Sequence, residues 1–395
     1  MESKPIESKP IDADNHYYET LDAFTRHLDK KFKTRGVRPV QDGKRIQLLI
    51  GDRANRFVPN PTFDPIIVPG CLDPLFRGQI PEGVDPASLM QVEPMKAEYR
   101  DRDKRVEVAE EQGLEAVVLF PTLGCGVEQA LTDDVPATMA SLAAFNRWLE
   151  DDWGYNYRDR LIAVPMLSLA DPDEAVAELD RLIKQGARIV HIRPAPVPGP
   201  NGTSRSLGNK LHDPVWARFA EASVYVAFHL GDSGYNRFAA AWGGRSTFGF
   251  GTGNALSSVL VSDRAIHDTM ASLIIDGVFA RHPTLRVASI ENGSDWIHTL
   301  VKRLRKQANQ TPWEFPEDPL DVVRQHLWVT PYCEEDMRAL ADLIGVDRIL
   351  FGSDWPHGEG LANPMDFTKE LSAFDEDEVR KIMRDNCLDL LGAAQ

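Results

Sequence analysis

Hydrophobic residues along the chain fall into short runs rich in Val, Ile and Leu. Each run is followed by a polar or glycine-containing turn and then by a helical pattern, which predicts parallel strands joined by helical crossovers. We count eight such runs and refer to them as the first to the eighth strand. They are residues 11–16, 114–122, 161–169, 187–195, 223–231, 285–293, 327–332 and 349–356.

Helical periodicity between the strands comes with start and stop signals. In residues 171–185, Asp171 can cap the helix N-terminus, Pro172 occupies the first helical position and Gly186 ends the helix. A second clear helical pattern covers residues 334–344. Eight strands alternating with helices predict an α/β protein with a (β/α)8 TIM barrel, because a doubly wound open sheet more often has about five to seven strands.

Two segments are too long to be simple crossovers. Residues 34–95, which follow the first strand, are Pro-rich in their middle, and loops longer than about 15 residues are usually functional or disordered. We predict that they form a cap over the barrel mouth. Residues 232–262, after the fifth strand, are rich in Gly, Ser and aromatics and predict a second lid or a subunit contact. Residues 1–10 are charged and repetitive, so we expect a flexible tail before a single barrel domain of residues 11–395.

Charge and composition narrow the possible partners of this 395-residue chain. It has 44 Lys and Arg against 60 Asp and Glu, a formal net charge of −16, so neither nucleic acid nor an anionic membrane is expected as its main partner. Its four cysteines include no CxxC pair, and no apolar run is long enough for a signal peptide or a membrane helix. We expect a cytoplasmic homo-oligomer, a dimer or larger, with a small-molecule substrate.

Polar side chains end four of the predicted strands, which is where catalytic groups project in a TIM barrel. The first strand carries Asp12, Asp14 and His16, and period-two alternation predicts all three on one face. The fifth, sixth and eighth strands end in His229, Glu291 and Asp354. Imidazole and carboxylate groups suit Zn, Mn or Fe(II). The sequence therefore predicts a site for one divalent metal ion at this end of the barrel.

These residues also carry a resemblance to a known family. The DxDxH order of the first strand, the histidine of the fifth and the FGSDWPH sequence at residues 351–357 resemble the amidohydrolase superfamily, in particular the branch related to aminocarboxymuconate semialdehyde decarboxylase. The resemblance extends from residue 11 over most of the chain and implies a TIM barrel with one bound metal. Zinc is the expected ion, with manganese or iron as alternatives. The implied metal ligands are Asp14, His16, His229 and Asp354.

Two positions depart from the family pattern. Asp14 stands where the family usually has the first histidine of HxH, although related resorcylate-type decarboxylases carry a carboxylate there. Glu291 stands where the family commonly has a catalytic histidine followed by glycine. A carboxyl group near a metal and apolar walls can hold a proton and give it to carbon, so we predict Glu291 as an acid/base. A third anionic ligand would disfavour a carboxylate substrate, and a purely structural glutamate is the remaining alternative.

Further residues are candidates for substrate or proton contacts. Arg193 and His191 lie two residues apart on one face of the fourth strand, and the arginine either clamps a substrate carboxylate or pairs with a neighbouring acid. His357 matches the family motif as a catalytic residue, or it hydrogen-bonds a metal-binding carboxylate. Trp242, with the aromatic residues at positions 248 and 250, either forms a wall for an aromatic substrate or packs against the barrel rim.

These features together predict a metal-dependent enzyme of the amidohydrolase superfamily. The resemblance implies a decarboxylase-like or hydratase-like lyase for a small carboxylated substrate, aromatic-derived compounds included, in which the metal stabilises negative charge while an acid protonates carbon. One alternative is a hydrolase of an amide, ester or lactone, in which metal-bound water attacks and Asp354 transfers the proton. Another is a non-catalytic barrel, because Asp14 and Glu291 depart from the family pattern.

Overall fold

Parallel strands form two sheets in the computed structural model, which describes residues 8–80, 82–246 and 254–392. The first sheet has the order Ile11–Tyr17, Ala116–Pro121 and Leu161–Ala163. The second has the order Leu327–Val329, Val287–Ile290, Tyr225–His229, Ile189–Ile192 and Met166–Leu167. The pairing is parallel throughout both sheets, which confirms the strand type predicted for the first seven strands.

The third predicted strand belongs to both sheets. Its first part, Leu161–Ala163, pairs with the second strand, and its second part, Met166–Leu167, pairs with the fourth. Between these parts, Pro165 O accepts a hydrogen bond from His191 N at 2.8 Å. The two sheets are therefore joined at this strand by backbone hydrogen bonds.

The eighth predicted strand, residues 349–356, is not regular β-structure, which corrects the sequence prediction. It bridges the seventh strand at Ile349 and the first strand at Trp355, but only as isolated pairs. Asp354 has a φ of 55°, in the left-handed region, so the chain cannot stay extended through this residue. The segment nevertheless lies between the seventh and the first strand.

A core cluster built almost wholly from strand residues runs through the centre of the molecule. It receives a buried apolar side chain from every one of the eight strand segments, and the C-terminal helix Asn386–Leu390 adds Cys387 and Leu390. The strand contributions include Ile11, Val118, Ile162, Ile189, Tyr225, Ala288, Trp328 and Leu350. The larger core lies between the strands and the surrounding helices. This two-core arrangement is what a sheet surrounded by helices requires.

Helices connect the strands, as the alternating pattern predicted. Asp171 caps the helix Pro172–Lys184 by accepting a hydrogen bond from Glu174 N at 3.1 Å, which confirms that predicted start. The long helices are Arg102–Glu111, Val135–Asp152, Pro172–Lys184, Asp213–Ala222, Arg264–Ile275, Asp295–Gln310, Pro319–His326 and Met337–Ile344. None of the helices in the described residues is both long and apolar enough to cross a membrane.

The predicted helix 334–344 begins later than the sequence pattern indicated. The observed helix is Met337–Ile344, and the Asp336 carboxylate caps its first turn. Glu335 is drawn away from this helix because its carboxylate accepts a hydrogen bond from Ser294 N at 2.8 Å. A tertiary contact thus overrides the local helical pattern at its first residues.

In its described residues, the first insertion contains five short antiparallel strands joined by turns and loops. The strands are Val37–Asp42, Arg45–Ile50 and Arg53–Ala54 in one sheet, and Ile66–Ile67 with Val92–Glu93 in another. Gly70 N donates to His357 O at 3.0 Å, and Leu72 N donates to Gly358 O at 2.7 Å. The insertion therefore contacts the turn that follows the eighth strand segment, which supports the predicted cap. Its coverage of a barrel mouth stays a prediction.

The second insertion contains the helices Asn236–Ala241 and Ala255–Val261. At its start, Asp232 N donates to Cys125 O at 3.2 Å, which ties it to the loop after the second strand. The aromatic residues at positions 248 and 250 lie outside the described residues. The role of this insertion as a lid or a subunit contact, and the homo-oligomer, stay predictions.

The described chain begins within the predicted tail, whose residues 1–7 lie outside the described ranges. Pro10, which the sequence analysis assigned to the tail, is buried. Its carbonyl accepts a hydrogen bond from Glu115 N at 2.7 Å, beside the second strand. The packed part of the chain therefore starts at or before Pro10, slightly earlier than predicted.

Candidate metal centre

Five predicted side chains converge where the strands end, and we call them the central cluster. They are Asp14, His16, His229, Glu291 and Asp354. His16 Nε2 lies 3.2 Å from His229 Nε2 and 3.3 Å from Asp354 Oδ1. Asp14 Oδ1 lies 3.5 Å from Nε2 of both histidines. The structure thus groups Asp14, His16 and His229 within 4.8 Å of one another, and Asp354, the fourth predicted ligand, adjoins this group at His16.

The separations within the central cluster are those expected around a single ion. Ligand atoms about 2.0–2.3 Å from a metal lie roughly 3.0–3.7 Å from one another in octahedral or tetrahedral geometry, and the distances above agree with this. Asp14 Oδ1 is buried and has no hydrogen-bond partner among the described residues. Because an unpaired buried carboxylate oxygen is costly, this atom is well suited to a bound cation. The residues present therefore fit a divalent metal.

Both histidines of the central cluster can present a free nitrogen to an ion. His229 Nδ1 lies 2.7 Å from Leu230 O and donates its proton there, so the lone pair of Nε2 faces the cluster. Burial lowers the pKa of His16 well below its usual value, and the neighbouring His357 and His229 rings lower it further. A neutral imidazole is the form that binds metal.

Asp14 is the member of the central cluster with the clearest anionic character. Burial on its own would raise the pKa of Asp14, but the nearby His16 and His229 rings, whose Nε2 atoms lie 3.5 Å from Oδ1, hold it well below the usual range. The ionised carboxylate thus faces two imidazoles. This combination matches the role that the family resemblance implies for Asp14.

Glu291 lies closer to the predicted ligands than the sequence analysis assumed. Its Oε2 atom is 3.3 Å from His229 Nε2 and 3.9 Å from His16 Nε2. Burial raises the pKa of Glu291 well above its usual value, and the nearby Asp354 and Asp14 carboxylates raise it further. Its position therefore allows both metal binding and proton storage.

His357 lies beside the central cluster and contacts it through Asp354. His357 Nδ1 is 2.7 Å from Asp354 Oδ1, and Nε2 is 3.1 Å from the Thr122 hydroxyl. The His357 and His16 rings stack with their centroids 4.0 Å apart. Burial raises the pKa of Asp354, and so do the Glu359 and Asp14 carboxylates. His357 is thus placed to orient Asp354.

Asp12 does not point with Asp14 and His16, contrary to the prediction from alternation. The pairing register between the first and second strands shifts between Asp12 and Asn15, as at a β-bulge, and this breaks the period of two. The Asp12 carboxylate accepts hydrogen bonds from Ser353 Oγ at 2.5 Å and from Asn15 Nδ2 at 2.9 Å. Burial raises the pKa of Asp12 to about 7. Asp12 therefore connects the first strand to the eighth segment.

Arg193 is buried, and both terminal nitrogens of its guanidinium donate to protein groups. Nη1 donates to Gln129 Oε1, and Nη2 donates to Pro196 O at 3.0 Å. Nε lies 3.8 Å from Glu128 Oε1 and makes no hydrogen bond with the described residues. The Glu128 carboxylate is thus a partial realisation of the neighbouring-acid alternative, and Nε is the guanidinium nitrogen that makes no hydrogen bond with the described residues.

The other two predicted substrate residues differ in their surroundings. His191 is buried, and its ring centroid lies 6.3 Å from that of His229. Burial, together with His229, lowers the pKa of His191 to about 3, so the ring is neutral. Trp242 is 67% exposed. Contact of either residue with a substrate stays a prediction.

Sequence reasoning missed two buried ionisable residues near the end of the first strand, Arg105 and Glu19. Arg105 donates from Nη1 to Asn15 Oδ1 and from Nη2 to His16 O, both at 2.7 Å. Glu19 accepts hydrogen bonds from Leu123 N at 3.0 Å and from Gly124 N at 2.9 Å. Burial raises the pKa of Glu19 to about 7. The acid three residues after His16 was a usable signal for Glu19, whereas nothing in the sequence linked Arg105 to this strand.

Another missed residue lies at the open side of the central cluster. The Glu359 carboxylate is within 4.8 Å of the carboxylates of Glu291 and Asp354. Its sequence signal was its place in the turn that follows FGSDWPH. Glu359 therefore adds a further carboxyl group beside Glu291 and Asp354.

The fold and the central cluster define a metal-dependent enzyme of the α/β class, and comparison with known proteins gives its family. A family model described as Amidohydrolase matches residues 11–393. The chain belongs to the amidohydrolase family and is a metal-dependent hydrolase or carboxy-lyase. This confirms the resemblance found in the sequence.

Three relatives give the scale of this relationship. A crystal structure of an amidohydrolase from Mycobacterium avium subsp. paratuberculosis K-10 is 60% identical, covers 98% of this chain and 100% of that one, and has a TM-score of 0.94. Gamma-resorcylate decarboxylase from Polaromonas sp. strain JS666 is 25% identical over 289 residues, 70% of this chain and 83% of that protein. A dihydroxybenzoic acid decarboxylase structure from Polaromonas sp. JS666, with bound manganese and the inhibitor 2-nitroresorcinol, is 18% identical with a TM-score of 0.53 and covers 82% and 93% of the two chains.

Proposed function

We propose that this protein is a metal-dependent decarboxylase of small carboxylated substrates, with hydroxybenzoate-like acids as the first candidates. The observation that carries the proposal is the group formed by Asp14, His16 and His229, whose ligand atoms lie within 4.8 Å of one another, with no hydrogen-bond partner for Asp14 Oδ1 among the described residues. Asp354 and Glu291 adjoin this group through contacts with His16 and His229. The decarboxylase relatives support this choice over hydrolysis. The proposal takes the eight strand segments as a closed (β/α)8 barrel, supported by the core to which all eight contribute.

The proposed ligands of the ion are Asp14, His16, His229 and Asp354. When bound, the ion supplies Lewis-acid stabilisation of negative charge on the substrate's oxygen atoms. We propose manganese in place of the zinc expected from the sequence, because carboxylate-rich donor sets suit harder ions. The manganese in the related dihydroxybenzoic acid decarboxylase supports this choice.

Glu291 is the proposed proton donor. Burial and the neighbouring carboxylates favour its protonated form, and its carboxyl group lies beside the cluster where the substrate binds. As the bond between the ring carbon and the carboxyl carbon breaks, the electron pair stays on the ring carbon and carbon dioxide leaves. The Glu291 proton then bonds to that carbon. Glu291 is left as a carboxylate and takes up a new proton from water, so each turnover consumes one proton.

Arg193, His191 and His357 have supporting roles in the proposal. The unpaired Nε–H of Arg193 donates to an anionic or hydroxyl oxygen of the substrate. The neutral ring of His191 lines the site beside His229. His357 orients the Asp354 carboxylate through its 2.7 Å contact.

The experiment is to load the protein separately with manganese and with zinc and to offer it a fixed panel of compounds. The panel contains 2,6-dihydroxybenzoate, 2-hydroxybenzoate, an aryl ester, an anilide and a lactone. We expect carbon dioxide release and the decarboxylated arene from at least one hydroxybenzoate, faster with manganese. Hydrolysis of the ester, anilide or lactone without carbon dioxide release would overturn the proposal in favour of a hydrolase.

A further inference from the structure

We propose that Tyr332 and Glu335 are positioning residues. They hold Glu291 in the conformation that places its carboxyl group beside the other residues of the central cluster. The proposal rests on the proposed role of Glu291 and adds the residues that control it. Glu291 has a φ of 55°. A non-glycine residue in this region is unfavourable and persists only where its surroundings hold it. Such a residue beside a candidate metal centre calls for a specific restraint.

Hydrogen bonds hold the Glu291 backbone on both sides. Its N–H donates to the Thr330 hydroxyl at 3.0 Å, and its carbonyl accepts a hydrogen bond from the Tyr332 hydroxyl at 2.7 Å. Asn292 Nδ2 donates to Phe228 O at 2.8 Å, which ties the same turn to the fifth strand. The peptide groups that flank Glu291 thus have little freedom to rotate.

Glu335 holds Tyr332 against this turn. Its carboxylate accepts hydrogen bonds from Tyr332 N at 3.0 Å, Ser294 N at 2.8 Å and Ser294 Oγ at 2.7 Å. A Cβ atom at Gly293 would lie 2.7 Å from Glu335 Oε1 and 2.8 Å from the Tyr332 ring. The tyrosine, the glutamate and the turn therefore pack so closely that only glycine fits at position 293.

This arrangement matters for the reaction because backbone rotation at Glu291 moves its carboxyl group. In the observed conformation, Oε2 lies 3.3 Å from His229 Nε2. Rotation of φ to a negative value would swing the side chain away from the ends of the first and fifth strands. The sixth-strand turn, which departs from the family pattern by carrying glutamate, is thus held by residues that follow the seventh strand.

The first test compares Tyr332→Phe with a matched control. Tyr155 also donates its hydroxyl proton to a backbone carbonyl, that of Asn146, at 2.7 Å. Because the Tyr155 hydroxyl also accepts from Arg181 Nη2 at 2.9 Å, Tyr155→Phe measures what losing at least as many hydrogen bonds away from the cluster does to stability. We expect Tyr332→Phe to lower kcat about tenfold with KM within about twofold, the effect of one lost hydrogen bond in the transition state. Tyr155→Phe should leave kcat unchanged.

The second test asks whether Tyr332 acts through Glu291. In a Glu291→Gln background, adding Tyr332→Phe should change kcat by less than about twofold, because the two substitutions affect the same group. An equal tenfold loss in both backgrounds would overturn the proposal. So would a rise in KM with kcat unchanged, which would make Tyr332 a substrate contact.

A crystal structure of manganese-loaded Tyr332→Phe gives a readout independent of activity. We expect Glu291 Oε2 to move away from His229 Nε2 or the Glu291 φ to leave the left-handed region. An unchanged Glu291 in both Tyr332→Phe and Glu335→Gln would overturn the proposal. If the wild-type protein decarboxylates no compound of the panel, the proposed function fails, and these structures still decide whether the restraint exists.

Discussion

Buried carboxylates occur in two neighbouring regions of this molecule, and the protein treats them differently. The first region consists of Asp12 in the first strand and Glu19 just after it. These two carboxylates accept hydrogen bonds from hydroxyl, amide and backbone N–H groups. In the central cluster, Asp14, Glu291 and Asp354 face imidazoles and one another. The first region supplies its own donors, and the second lacks them.

This difference identifies the second region as the one built for a ligand. Burying a carboxylate is costly unless hydrogen bonds or a cation compensate it. Around Asp12 and Glu19 the protein supplies hydrogen-bond donors that offset part of that cost, although burial still raises both pKa values to about 7. In the central cluster, Asp14 Oδ1 has no hydrogen-bond partner among the described residues. In the proposed function, a divalent cation supplies the compensation that this region lacks.

The largest expected effect comes from removing an imidazole from the central cluster. His229→Ala should reduce bound manganese from about one equivalent per chain to less than about 0.1, and decarboxylation should fall at least about 10³-fold, since the ion and its charge stabilisation are lost together. Elemental analysis after dialysis and steady-state kinetics measure both. His326→Ala is the control, because His326 is a buried histidine whose Nδ1 donates to Leu285 O at 2.7 Å, away from the cluster. If His229→Ala still binds one equivalent of manganese, the central cluster is not the metal site, and the difference between the two regions does not reflect ligand binding.

The next effect separates the two possible roles of Glu291. Glu291→Gln removes the titrating proton and keeps the size of the side chain, so kcat should fall by about 10² to 10⁴, the usual contribution of general acid catalysis. Bound manganese, measured in the same samples, should stay near one equivalent. Loss of manganese together with activity would make Glu291 a ligand, and unchanged turnover would make it structural.

The first region should affect how the free energy of unfolding depends on pH, through Glu19. Burial raises the pKa of Glu19 to about 7 from its usual 4.5. The group costs nothing below about pH 4.5, where it is protonated in both states, and its burial penalty grows until the pH passes about 7. Stability should therefore fall over this window, and Glu19→Gln should remove on the order of 2–3 kcal/mol of that decline.

Urea unfolding at pH 5 and pH 8 measures the effect of Glu19→Gln relative to wild type. Glu111→Gln, at an exposed position, is the matched control and should follow the wild-type curve. The same pH dependence in wild type and Glu19→Gln would show that burial does not raise the pKa of Glu19. The comparison between the two regions would then rest on the central cluster alone.

The smallest effect concerns Arg193, a buried cation whose Nε makes no hydrogen bond with the described residues. Arg193→Gln should raise KM about tenfold and leave kcat nearly unchanged, because one hydrogen bond to bound substrate is lost in ground and transition states alike. Steady-state kinetics with the active hydroxybenzoate measure it. A fall in kcat with unchanged KM would assign Arg193 to the chemical step instead.

The sequence was sufficient to predict the strands and the residues of the central cluster. Apolar runs and the polar residues that end them are local signals, so the first seven strands and the convergence of Asp14, His16, His229 and Asp354 followed from them. The sequence was a poorer guide to the face of the strand on which each side chain lies. The β-bulge after Asp12 changes the face of the strand without any mark in its composition.

Contacts between distant parts of the chain account for most of what the sequence did not predict. Glu335 was assigned to a helix, yet it binds Ser294 and Tyr332 because the sixth and seventh strands are neighbours in the sheet. Arg105 reaches Asn15 from a helix far along the chain. The left-handed backbone of Glu291 and Asp354 likewise depends on tertiary hydrogen bonds rather than on the residue type.

The most direct test of the central claim is a crystal structure of the manganese-loaded protein with anomalous data collected at the manganese absorption edge. The account predicts one anomalous peak per chain within about 2.0–2.4 Å of donor atoms from Asp14, His16, His229 and Asp354. Asp12 and Glu19 should keep their protein partners and lie outside the coordination sphere. A peak that His229 or Asp14 does not coordinate, or no peak at the central cluster, would contradict the account.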